Sequence, residues 1–116
     1  MPKDVVPSNA EHEHPIPNLV GQRIRSRREG LGWSQEKLGV AIGIDESSSR
    51  ARISRYELGN HEPPLDTARN IAKALGVPLA YLYCEENDLA DLLLALKKMP
   101  AKQRGTLISS WMNKIA

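Results

Sequence analysis

From Asn18 onward the apolar positions recur at helical spacing, and short turn signals divide them into segments. Val20, Ile24 and Leu31 fall on one face of a first predicted helix that Asn18 can cap. Arg23, Arg25, Arg27 and Arg28 lie on or near its other face. "GLGW" at 30–33 breaks this pattern, and Ser34 is a suitable N-cap for a second helix whose stripe is Leu38, Ala41 and Ile42, stopped by Gly43. A third helix is expected between Asp45 and Leu58, closed by Gly59 and followed by a turn at "HEPP". Ala68, Ile71, Ala72 and Leu75 give i, i+3, i+4, i+7 spacing and predict a fourth helix over 65–75, ended by Gly76. A short fifth helix follows Pro78, with Leu79, Leu82 and Tyr83 as its buried candidates.

Beyond Cys84 the segments turn more apolar. Asn87 can cap a helix holding Leu89, Leu92, Leu93 and Leu96. Pro100 can open another with Leu107, Ile108, Trp111, Met112 and Ile115. A five-helix domain offers too little surface to cover all of these, so residues 84–116 are expected to form a partner interface. Residues 1–17 hold four of the eight prolines and no periodic pattern, which predicts a flexible N-terminal arm. The fold class expected is therefore all-α: five helices over 18–83, then two more.

Composition changes this picture little. The chain has no Phe, and a core of Leu, Ile, Val and Ala suits helix-on-helix packing. Its one cysteine excludes an internal disulfide framework. Neither an apolar run long enough for a membrane nor a signal-peptide pattern is present, so a soluble, cytoplasmic protein is expected, without a membrane partner. Charge is more informative when divided by segment. The arm carries a net −2, whereas residues 18–83 hold ten Lys/Arg against seven Asp/Glu, so the positive excess lies in the predicted domain.

Arginine density is high in the first helix and again in "SSSRARISRYELG" at 47–59. On a helical wheel Ser49, Ile53, Tyr56 and Glu57 share the face that would be buried. Ser48, Ala51 and Arg55 point the opposite way, Arg52 and Ser54 lie on the flanks, and Arg50 stands at the border. Lys and Arg neutralise phosphates, and arginine also binds guanine edges bidentately in the major groove, so these side chains are candidate contacts to double-stranded DNA.

"VGQRIRSRREGLGWSQEKLGVAIGI", "ISRYELGNHEP" and "LDTARNIAKALGVPLAYLY", in this order, resemble the phage-repressor (Cro-like, xenobiotic-response-element) helix-turn-helix family over about residues 18–83. The resemblance implies a transcriptional regulator, most often a repressor, that binds a pseudo-palindromic operator as a dimer. It implies that Gln35, first in the second helix, holds a backbone phosphate. Arg50, Ala51, Ser54 and Arg55 would meet bases, Ser49 and Arg52 would make phosphate or flanking contacts, and Asn60 and His61 would touch phosphate or an outlying base. Arg28 and Glu57 match an internal ion pair. One departure is plain: the family advances six residues from the turn glycine to the buried Ile, whereas Gly43 to Ile53 is ten. Either Asp45 caps a recognition helix one turn longer, which carries Glu46, Ser47 and Ser48 toward the groove, or Ser49 is the cap and "DESS" is a loop. The three-residue turn "GID" favours the longer helix.

Blander readings stand beside these. Arginines of the first helix commonly form a solvated face, and Arg23 or Arg27 could instead meet phosphate. His12 and His14 lack further metal ligands, so no metal or other cofactor is expected. Cys84 reads as a small hydrophobe, and Trp111 suits a dimer contact. No nucleophile–base pattern or phosphate-cradling glycine loop is present, which argues against an enzyme. The alternatives are an antitoxin or accessory regulator whose C-terminal helices bind a protein, and an interaction module that has lost DNA binding.

Overall fold

The structure, a computed structural model, describes residues 17–116. The predicted arm, with His12 and His14, lies outside the described residues except for Pro17. Seven helices and no strand are found among the described residues: α1 Leu19–Gly30, α2 Gln35–Ala41, α3 Glu46–Leu58, α4 Leu65–Leu75, α5 Leu79–Tyr83, α6 Asn87–Lys98 and α7 Ala101–Ile115. None is long and apolar enough to cross a membrane.

The core follows the predicted stripes in outline. Ile24, Leu38, Ile53, Ala68, Ile71, Leu75 and Leu82 are fully or almost fully buried at the centre of α1–α5. The exceptions have local causes. Leu31 lies just past α1 and is partly exposed, because the chain has already begun to turn there. Ala41 is exposed and Ile42 only half-buried, while Gly39 is the buried partner of Leu38 in α2. In α5 the buried aromatic is Tyr81, and Tyr83 faces outward. Ala90 and Leu94 of α6 join the same core, so α6 is seated on the domain and does not hang free of it.

Helix ends are set by different devices. Ser34 caps α2 as expected, its hydroxyl accepting from the Lys37 amide at 2.9 Å. Asn18 occupies the cap position of α1 but adopts the left-handed conformation, φ 60°, and its side chain does not bond the first turn. Its amide instead donates to the Glu57 carbonyl at 2.7 Å, fastening the start of α1 to the end of α3. At the far end of α3, Gly59 takes φ 80°, which costs a residue without a Cβ little. Glu86, one residue before the predicted Asn87, stands at the cap of α6.

Candidate nucleic-acid interface

α2 and α3 cross where a small residue meets a small residue. A Cβ placed on Gly39 would lie 2.4 Å from that of Ser49, well inside contact distance, so only glycine allows this approach. Ser49 is accordingly fully buried, its hydroxyl donating to the carbonyls of Ile44 at 3.1 Å and Asp45 at 3.0 Å. A DNA contact by Ser49, expected from family position, is therefore corrected: the residue is part of the helix crossing. Its bonds also tie down the added turn. The longer-helix alternative is the one found, with Asp45 at the cap and Glu46 as the first residue of a 13-residue α3. The Ser47 hydroxyl donates to the Asp45 carboxylate, which makes no bond to the backbone of the first turn.

A buried polar cluster fixes the angle of α3 against α1 and α2. Arg28 donates to Glu57 through Nε at 2.6 Å and Nη2 at 2.9 Å, and its Nη1 donates to the Trp33 carbonyl at 2.7 Å. The expected α1–α3 ion pair is thus present and nearly dry, with the Glu57 side chain 2 % exposed. Hydrogen bonding to Glu57 raises the Arg28 pKa above its ordinary value, against burial, which acts the other way. Gln35 Nε2 donates to Glu57 Oε1 at 3.0 Å, so the same carboxylate orients the first side chain of α2.

The arginines of α1 and α3 differ in one decisive respect. Every arginine of α1 has a partner: Arg23 donates to the Cys84 carbonyl at 2.6 Å, Arg25 pairs with Glu29, Arg27 donates to the Leu75 carbonyl, and Arg28 holds Glu57. Arg23 and Arg27 therefore close the C-terminal ends of α5 and α4, a role that sequence reasoning missed. Arg50, Arg52 and Arg55 are all exposed, and among the described residues none forms an ion pair or a side-chain hydrogen bond. Arg50 and Gln35 line one open cleft of about 400 Å³, together with Arg28, Ser34 and Glu36.

The helix-turn-helix family model matches residues 24–82, from within α1 into α5, and includes this crossing. The chain belongs to the helix-turn-helix family. Similar proteins include an uncharacterized HTH-type transcriptional regulator of Sinorhizobium medicae, 39% identical over 75 residues, which are 65% of this chain and 51% of that protein. The cryptic phage CTXphi transcriptional repressor RstR of Vibrio cholerae is 30% identical over 79 residues, 68% of each chain. The crystal structure of the transcriptional regulator BswR superposes with a TM-score of 0.74 at 36% identity, covering 82% of this chain and 93% of that one. This helix-turn-helix protein spans about half the length of the rhizobial relatives it matches. Each of these three similar proteins is named as a transcriptional regulator or repressor.

The remaining candidate residues of this helix-turn-helix protein fall into three places. Ala51 and Arg55 are exposed on the outer side of α3 and Ser54 is half-buried beside them. Ser48 and Arg52 line a different depression, on the flank toward Thr67 and Asn70 of α4. Asn60 and His61 are exposed just past the C terminus of α3, their amides bonded back to the Arg55 carbonyl. The structure thus brings Gln35 to Arg50 and sets Arg52 apart on the opposite flank. Gly39, which positions α3 without facing outward, carried no polar or charged signal that would have singled it out, and Asn18 was legible as a helix cap but not as the tie to the end of α3.

Proposed function

We propose that this protein is a sequence-specific regulator of transcription, acting as a repressor, that binds a pseudo-palindromic DNA operator as a homodimer. α3 enters the major groove. Arg50, Ala51, Ser54 and Arg55 face base edges, where arginine can bind guanine bidentately. Gln35 and the amides at the start of α2 hold a backbone phosphate beside Arg50. Arg52, with Ser48, reaches phosphate on the α4 flank, and Asn60 and His61 meet the backbone past the end of α3. Residues 18–83 form the DNA-binding unit, and residues 84–116 join two copies.

The observation that carries this reading is the contrast between helices: the arginines of α1 are all engaged within the chain, whereas those of α3 are exposed and have no partner among the described residues. Exposed arginines without a partner among the described residues suit a polyanionic ligand, although Glu46 one turn before Arg50 adds an acid to the same side. Selection of bound duplexes from random DNA tests it. The expected outcome is a two-fold related pair of half-sites with centres about 34 Å, one helical turn, apart. Recovery of no enriched duplex would contradict the proposal.

A further inference from the structure

We infer that α6 pairs antiparallel with α6 of a second copy, about a two-fold axis close to Leu92 and Leu93. This rests on the reading that residues 84–116 join two copies, and adds which way the partner runs. Leu89 and Leu92 of α6, and Ile108, Met112 and Ile115 of α7, are exposed, Ile115 to 78 %. Ala90 and Leu94 face the chain's own core, which leaves the opposite side of α6 without cover among the described residues.

The occupant is indicated by charge. Residues 85–91 hold four acids and no base, whereas residues 97–114 hold five bases and no acid. A surface so divided complements itself when turned end for end, and repels itself when laid side by side in the same direction. The helix dipole accounts for Asp88 in the first turn of α6 and for Lys97 and Lys98 in its last, but not for α7, whose first turns carry Lys102 and Arg104 and no acid. At about 100° per residue, Leu89, Leu92 and Leu96 form one stripe, and Asp88, Asp91 and Lys98 line the same edge of it. In an antiparallel pair each edge meets the same edge of the partner, so Asp88 and Asp91 of one copy lie against Lys98 of the other. The register that places Leu89 against Leu96 also places Leu92 against Leu93 and Asp88 near Lys98.

Cross-linking tests this in the full chain with Cys84→Ser as background. Self-paired residues at Leu92 are offset by only ~2 Å along the axis, and at Asp88 by ~14 Å, beyond disulfide reach. A Leu92→Cys chain is expected to cross-link to itself. An Asp88→Cys chain is expected not to do so, but to cross-link when mixed with a Lys98→Cys chain. In sedimentation, Lys98→Glu is expected to raise the dimer dissociation constant about tenfold, and adding Asp88→Lys and Asp91→Lys to restore it. Self-cross-linking of Asp88→Cys would overturn the antiparallel arrangement. A dimer in which none of these pairs cross-links would place the seam elsewhere. A monomeric parent chain would overturn the dimer reading itself, and this inference with it.

Discussion

Removing the Glu57 carboxylate would leave the Arg28 guanidinium buried between α1 and α3 with only the more exposed Glu29 carboxylate, 3.9 Å away, as countercharge, and would release Gln35 as well. Breaking one side of such a pair costs about 3–5 kcal/mol, so Glu57→Ala is expected to lower unfolding stability by that amount in a urea titration. Because the Arg28 pKa is raised, the stability it contributes is complete below the ordinary arginine range and is lost only as pH climbs past the raised value. The Glu57→Ala penalty is therefore expected to be equal at about pH 7 and about pH 9; a penalty that vanished at the higher pH would contradict this. The pair was legible in sequence because Arg28 and Glu57 match a family pattern. The other bonds were not. Arg23 and Arg27 reach carbonyls 61 and 48 residues away, and a main-chain acceptor leaves no mark on its own residue type.

At the scale of elements, the α2–α3 crossing admits no side chain at Gly39. Gly39→Ala is expected to force the helices apart at a cost of about 1–3 kcal/mol, and to weaken DNA binding because α3 is re-aimed. Ser34→Ala should cost about 1 kcal/mol through loss of the α2 cap. Asp45→Ala should cost less in thermal melts, since the Asp45 carboxylate accepts only from the exposed Ser47 hydroxyl and makes no bond to the backbone of the first turn of α3. Most helices could be read from periodicity and glycine stops: α4 was placed over the residues it occupies, Leu65–Leu75. Face assignments were weaker wherever a small residue made the contact. Gly39 and Ala90 are buried while Ala41, Leu89 and Leu92 are exposed, because close packing selects for volume and not for hydrophobicity alone. Ser49 shows the same limit from the other side. The helical wheel placed it inward and the family position placed it on DNA, and the crossing with Gly39 decides for the former.

For the whole molecule, two α3 helices held by one α6–α7 seam would meet DNA together, so a duplex with both half-sites should bind far more tightly than one with a single half-site. Arg52→Ala is expected to weaken binding uniformly across sequences and to reduce the salt slope by about one. The most direct measurement compares the parent chain with Arg50→Ala and Arg55→Ala by fluorescence anisotropy on a selected duplex over a range of salt. Each variant is expected to lose about tenfold or more in affinity, with unfolding stability within about 0.5 kcal/mol of the parent, because both side chains are exposed and without a partner among the described residues. Unchanged affinity in both variants would contradict the assignment of the outer face of α3 to DNA.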